Sequence, residues 1–165
     1  MELSAPSSLT LKIASKKGIV LVNPSFTDTA TIVLIDDNAL DISEKYPDSL
    51  VIYGPGEFEA SGIMIKGTRS EKDTMYVIDT GEGKVLHAIS TSIQKLSDED
   101  DYDVVVVRAV SPVEEASLSS LSSKLVVVYG DSENIPQTVK DNTVNKINLK
   151  KKDELNSNVV YLEKK

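Results

Sequence analysis

The side chains that could do chemistry in this chain are few, and its single histidine is the first of them. His87 lies inside the apolar run at residues 85–89. An imidazole can act as a general base or bind a metal ion. A catalytic triad also needs an orienting group and a nucleophile, which one histidine does not identify. We therefore favour the structural interpretation, a histidine that is hydrogen-bonded in the core or lies at a sheet edge.

A second group consists of carboxylates that follow directly on a predicted buried strand, namely Asp36, Asp37 and Asp41. Carboxylate oxygens in such a place suit a hard cation. The same stretch, Asp36-Asp37-Asn38, is also typical of a turn and helix cap before residues 39–42. The spacing lacks the glycine and the distal glutamate of a calcium loop. We favour capping and keep Asp37 and Asp41 as weak metal candidates.

A third candidate is the glycine-rich segment Gly54-Pro55-Gly56, which invites comparison with a phosphate-binding loop. It lacks the Lys-Ser/Thr pair of a nucleotide loop, and the nearby Glu57 and Glu59 would repel an anion. We predict a structural turn at which two stretches of backbone come close together.

Composition narrows the classes of function. The 165 residues predict a single domain spanning 1–165. The net charge of −8 disfavours nucleic acid as a partner, and the absence of cysteine excludes thiolate chemistry. No apolar run approaches a membrane span and no signal peptide is visible, so we expect a cytoplasmic protein without a membrane partner.

The elements that position these side chains are mostly strands, because short β-branched clusters alternate with turn residues. Residues 111–112 predict the start of a helix between two buried strands, which would make a βαβ unit, and a shorter helix is predicted at 135–140. The predicted strands cover residues 9–13, 19–22, 31–35, 49–53, 61–66, 74–79, 84–89, 103–108, 124–129, 145–149 and 158–162.

Several strings resemble one family. The most specific is LVIYGPGEFEASGIMIKG at residues 50–67, which is similar to the GPGEYE…G…I.G segment of small bacterial metallo-β-lactamase-fold hydrolases, the branch that includes ascorbate-6-phosphate-lactonase-like proteins. ATIVLID at 30–36 resembles the strand before that family's metal motif, and VLHAIS at 85–90 resembles a later strand. The resemblance spans nearly the whole chain. It implies an α/β (α+β) fold, an αββα sandwich of two mixed β-sheets that is strand-rich and has reduced helices.

The resemblance also implies that most metal ligands are lost. The family motif HxHxDH corresponds to residues 37–42, where Asp37, Ala39 and Ile42 replace imidazoles and Asp41 alone is retained. No histidine follows Gly67, where the family has the next one. A di-zinc centre needs several imidazoles or bridging carboxylates, so the resemblance predicts a degenerate member without the metal.

Two further vestigial positions lie later in the chain. The bridging aspartate of the family's HLGD string corresponds to Ser90, so His87 stands three residues before that ligand position. The last family histidine corresponds to Gly130. Neither residue supplies a strong metal ligand.

We therefore expect a non-catalytic binding or assembly module without a cofactor, whose partner is another protein or a second copy of the chain. One alternative is a metal-dependent hydrolase of lactonase or phosphodiesterase type. It would hold zinc or another divalent metal in a relocated or partial site at Asp36, Asp37 and Asp41. Another alternative is a regulatory domain that binds a small ligand in the vacated cleft near Ile42 and Ser90.

Overall fold

The apolar runs of the sequence form strands, which a computed structural model describes for residues 1–36, 42–96, 101–121 and 123–165. The strands are β1 (Glu2–Ser4), β2 (Leu11–Ser15), β3 (Gly18–Val22), β4 (Ile32–Leu34), β5 (Leu50–Ile52), β6 (Gly56–Ala60), β7 (Ile63–Ser70), β8 (Asp73–Asp79), β9 (Lys84–Ile89), β10 (Val104–Ala109), β11 (Val126–Gly130), β12 (Thr143–Val144), β13 (Lys146–Asn148) and β14 (Val159–Leu162). The helices are α1 (Glu115–Ser119) and α2 (Gln137–Lys140), with 3₁₀ turns at Ser43–Lys45, Ser90–Lys95, Ser132–Asn134 and Leu149–Glu154.

The strands form two mixed sheets. The first has the order β13-β1-β2-β3-β4-β5, antiparallel up to β3 and parallel from β3 to β5. The second has the order β12-β14-β11-β10-β9-β8-β7-β6. In it β6 to β9 are antiparallel, whereas β9, β10, β11 and β14 run parallel. Parallel strands place their carboxyl ends at one edge of the sheet, where polar side chains can gather.

The core lies between the two sheets, because alternate residues of each strand point inward. Tyr76, Val106 and Val127 of the second sheet face Leu3 and Leu34 of the first. A second apolar cluster covers the outer face of the second sheet around Leu118, and a third covers the first sheet around Tyr46. Within the described residues, no helix is long and apolar enough to cross a membrane.

The helix between β10 and β11 is shorter than the sequence predicts. It begins after Glu114 rather than at Ser111, and no side chain caps it. Ser111 is engaged elsewhere, since its hydroxyl lies 3.2 Å from the hydroxyl of Ser90. The serine-rich stretch that follows has low helix propensity. The parallel pairing of β10 with β11 agrees with the predicted βαβ unit.

The chain passes from the first sheet to the second through Gly54 and Pro55. Gly56 begins β6 with φ of 142°, a conformation that favours glycine. A Cβ on Gly67 of β7 would lie 2.8 Å from the carbonyl oxygen of Gly54, so backbone meets backbone at this crossing. The segment from Gly56 to Ala60, which the sequence analysis left outside its strands, is an edge strand.

Candidate functional site

A buried ion pair joins the two sheets at the carboxyl ends of their strands. Asp36 lies two residues after the end of β4, and its carboxylate has no solvent exposure. Arg108 of β10 reaches it in a fork: Nη2 donates to Oδ1 at 2.8 Å and Nε donates to Oδ2 at 3.2 Å. The Arg108 side chain is 11% exposed. Such a bidentate pair satisfies both carboxylate oxygens and neutralises the charge.

His87 of β9 lies beside this pair and is fully buried. Its Nε2 lies 2.8 Å from the hydroxyl oxygen of Tyr129 in β11. Its Nδ1 lies 4.0 Å from Oδ2 of Asp36, too far for a hydrogen bond, and no described residue pairs with it. The hydrogen-bonded interpretation of this histidine therefore agrees with the structure.

Burial decides the charge of the imidazole. It lowers the pKa of His87 to about 4, the Asp36 carboxylate opposes this shift, and the Arg108 guanidinium adds to it. The carboxylate has limited influence because Arg108 already neutralises it. The ring is thus neutral at pH 7. Its proton is best placed on Nδ1, facing the carboxylate, which leaves Nε2 to accept the hydroxyl proton of Tyr129. Burial also raises the pKa of Tyr129.

Backbone contacts from both sheets hold Asp36 in place. Its N–H donates to Oδ1 of Asn23 at 3.1 Å, and its carbonyl oxygen accepts from the Thr74 amide at 3.4 Å. Tyr76 of β8 donates its hydroxyl to the carbonyl of Ile35, the preceding residue, at 2.7 Å. The carboxylate is therefore fixed by its own backbone as well as by Arg108.

We call the four side chains of Asp36, His87, Arg108 and Tyr129 the buried polar cluster. Its summed charge is zero, with one anion, one cation and two neutral groups. None of its members supplies an exposed nucleophile, since each is buried or nearly so. In this form the cluster is suited to hold the two sheets together.

The positions predicted from the family resemblance are spread over the structure. Asp37, Ala39 and Asp41 lie outside the described residues. Ile42 is buried in the apolar cluster on the outer face of the first sheet. Ser90 follows β9, where its hydroxyl accepts from the Val110 amide at 3.2 Å.

Gly130 ends β11, one residue after Tyr129, with φ of 129°. A Cβ there would lie 2.8 Å from the carbonyl oxygen of Ala109 in β10. A side chain is excluded at this position by backbone packing, whatever the role of the neighbouring residues.

Both oxygens of the Asp36 side chain accept from Arg108, and the helix that this side chain was predicted to cap, at residues 39–42, lies mostly outside the described residues. The sequence-based prediction of site residues did not include Arg108 and Tyr129. The sequence does contain an indication that Arg108 is buried in an ion pair. It is one of only two arginines in the chain, and it follows four consecutive valines. An arginine at the end of a fully buried strand requires an anionic partner.

The described residues do not fit a metal ion. They contain no group of three or more histidine, cysteine, aspartate or glutamate side chains that could hold one. Asp36 has both oxygens on Arg108, and a cation placed near the free nitrogen of His87 would meet the guanidinium charge. No part of the buried polar cluster offers an open coordination position of the kind that a catalytic zinc needs.

Comparisons with known proteins identify structures of similar fold. No protein-family profile matches the chain, and no curated protein sequence matches it. A crystal structure from Thermotoga maritima, described as a candidate zinc-dependent hydrolase of the metallo-β-lactamase superfamily, matches with a TM-score of 0.70 at 15% identity, covering 100% of both chains. A candidate metal-dependent hydrolase from Parabacteroides distasonis matches with a TM-score of 0.56 at 14% identity, covering 98% of this chain and 91% of that one.

A variant of the CmlA β-hydroxylase matches with a TM-score of 0.52 at 12% identity, covering 78% of this chain and 45% of that one. At these identities the likeness concerns the fold. With its two mixed sheets and few helices, the chain has a metallo-β-lactamase-like fold.

Proposed function

We propose that this chain, which has a metallo-β-lactamase-like fold, is a non-catalytic binding or assembly module of the cytoplasm. The scaffold is retained, and the site at the carboxyl ends of its strands serves stability. We further propose that it represents a degenerate relative of the ascorbate-6-phosphate-lactonase-like branch and works without a metal cofactor.

The observation that carries the proposal is the bidentate pairing of Asp36 with Arg108. By the family resemblance, metal ligands would follow the strands that end at Ile35, Ile89 and Tyr129. Asp36, His87 and Tyr129 come from these same strands, and they pack around a guanidinium. A guanidinium supplies the positive charge that a buried carboxylate requires, and it does so without a Lewis-acid centre or an activated water.

Hydrolysis is the alternative, because two of the fold neighbours are described as candidate metal-dependent hydrolases. It would require a base beside a donor for the developing oxyanion. In the buried polar cluster the candidate base is His87, which is enclosed and engaged with Tyr129. The hydrolase alternative therefore depends on Asp37 and Asp41, which lie outside the described residues.

The test is a panel of ester, lactone, phosphodiester and β-lactam substrates, with zinc, manganese and magnesium each supplied. We expect no turnover above the rate in the absence of protein, because the described residues offer no place to activate water. The variants Asp37→Asn and Asp41→Asn serve as matched controls. Turnover that disappears in either variant contradicts the proposal and supports a relocated site, whereas turnover unchanged in both identifies a contaminant.

A further inference from the structure

His87 brings an unpaired polar atom to the centre of the buried polar cluster. Among the described residues, three buried side-chain atoms have no hydrogen-bond partner: Nδ1 of His87, Nδ2 of Asn23 and Oγ of Ser70. The first two belong to residues that lie against Asp36. Nδ1 of His87 is 4.0 Å from Oδ2 of Asp36, and Oδ1 of Asn23 accepts from the Asp36 amide at 3.1 Å. Buried polar atoms are nearly always paired, so their concentration at one carboxylate indicates a small polar molecule beside it.

The distance between Nδ1 of His87 and Oδ2 of Asp36 is held by an anchor on each side. The imidazole is tied to β11, because its Nε2 lies 2.8 Å from the hydroxyl oxygen of Tyr129. The carboxylate is tied to β10 by the two hydrogen bonds from Arg108. A direct hydrogen bond would require the gap to close by about 1 Å. That movement would draw the ring away from Tyr129 or the carboxylate away from Arg108.

Each side of this gap can make a further hydrogen bond. Oδ2 of Asp36 accepts from Nε of Arg108 at 3.2 Å, the longer of the two bonds in the fork, and a carboxylate oxygen has a second lone pair. On the other side, Nε2 of the neutral imidazole accepts from Tyr129, so Nδ1 carries the proton and donates. A molecule in the gap must therefore accept from His87 and donate to Asp36.

Charge and size determine which molecule fits. A cation would be repelled by the Arg108 guanidinium and an anion by the Asp36 carboxylate, so a neutral molecule is favoured. The side chains of Asp36 and His87 have no solvent exposure, and the gap between their facing atoms suits one small molecule. A water about 2.8 Å from each atom lies beside the line that joins them, with an angle of about 90° at its oxygen. Water also both accepts and donates, as the two sides of the gap require.

We propose that the buried polar cluster binds one water molecule, which accepts from Nδ1–H of His87 and donates to Oδ2 of Asp36. With this water, hydrogen bonds run without interruption from Arg108 through Asp36 and His87 to Tyr129. The chain of bonds crosses β9, β10 and β11 of the second sheet and reaches the first sheet at Asp36. The proposal rests on the stabilising role proposed above for this site, and it names the molecule that completes the network.

The surroundings of this water make it structural and not a nucleophile. His87 donates to it, so the imidazole does not remove its proton. The carboxylate that accepts from it is neutralised by Arg108. Neither Asp36 nor His87 exposes its side chain to solvent, so a substrate does not reach the water. The substrate panel measures turnover independently, and either proposal can therefore fail without the other.

The test is a crystal structure of the full chain at a resolution of about 1.2 Å, together with nitrogen-15 NMR of the labelled imidazole. We expect an electron-density peak within about 3.2 Å of both Nδ1 of His87 and Oδ2 of Asp36, with the gap between these atoms retained. We expect the NMR spectrum to place the proton on Nδ1, and His87 is the only histidine, so its signals are assigned directly. A direct bond between the two atoms, a gap without water density or a proton on Nε2 overturns the proposal.

Two variants separate the two nitrogens of the ring. His87→Leu removes Nδ1, so the density peak at Oδ2 of Asp36 is expected to disappear. Tyr129→Phe is the matched control, because it removes only the partner of Nε2, and the peak is expected to remain at the same place. Far-UV circular dichroism verifies that each variant is folded. A peak that persists in His87→Leu, or one that is lost in Tyr129→Phe while the gap is retained, contradicts the assignment of this water to Nδ1.

Discussion

Replacing Arg108 by methionine is expected to lower the free energy of unfolding by about 3–5 kcal/mol, because it leaves the Asp36 carboxylate buried without its counter-charge. The carboxylate has no solvent exposure, and both of its oxygens depend on the guanidinium. Equilibrium unfolding in urea at pH 7 measures the loss. Methionine keeps most of the side-chain volume, so lost packing contributes little to the difference.

The other arginine of the chain provides the control. Arg69 of β7 is exposed, and Arg69→Met should change stability by no more than about 0.5 kcal/mol. The double variant Asp36→Asn/Arg108→Met should recover part of the loss, because it removes the orphaned charge. If Arg108→Met alone stays within about 1 kcal/mol of the original chain, the ion pair is not what holds this edge of the sheets together.

Acid should destabilise the chain through His87. The folded pKa of this histidine is about 4, whereas its ordinary value is 6.5. Between these values the unfolded chain binds a proton that the folded chain does not. The free energy of unfolding therefore falls as the pH falls from about 6.5 to about 4, by about 3 kcal/mol in total. Below the folded pKa the loss from this group is complete.

The measurement is urea unfolding at pH 7, 6 and 5, compared with His87→Gln. His87 is the only histidine of the chain, so no other imidazole contributes. His87→Gln can be less stable than the original chain at every pH, but its free energy of unfolding should change little between pH 7 and pH 5. The original chain should lose about 1 kcal/mol per pH unit between pH 6 and pH 5. Equal pH dependence in the two proteins would show that the imidazole is not kept neutral by burial.

The sequence predicts much of the fold because local patterns determine it. The run of valines in β10 and the apolar run of β4 predict strands covered on both faces, and both are fully buried. The edge strand β6 could not be recognised, since its Glu-Phe-Glu alternation is short and follows a Gly-Pro-Gly turn. The helix α1 begins at Glu115 and not at the predicted Ser111. Its serines have a low propensity for helix, which explains why the helix is short.

The buried polar cluster was harder to predict, for a physical reason. Asp36 and Arg108 are 72 residues apart, and their pairing results from the packing of two sheets and not from any local spacing. Asp36 stands in an Asp-Asp-Asn string, which is typical of a turn. His87 stands in an apolar run, which is typical of an ordinary core residue. The one indication in the sequence was Arg108, because an arginine near the end of a buried strand needs a carboxylate close to it.

We propose that this scaffold works without a metal. The most direct measurement is elemental analysis of the purified chain after dialysis, paired with the melting temperature in the presence and absence of chelator. We predict zinc, iron and manganese well below one equivalent and an unchanged Tm, because a metal that does not bind the folded chain cannot stabilise it. A metal retained at one equivalent or more, together with a Tm that falls on chelation, would contradict the account.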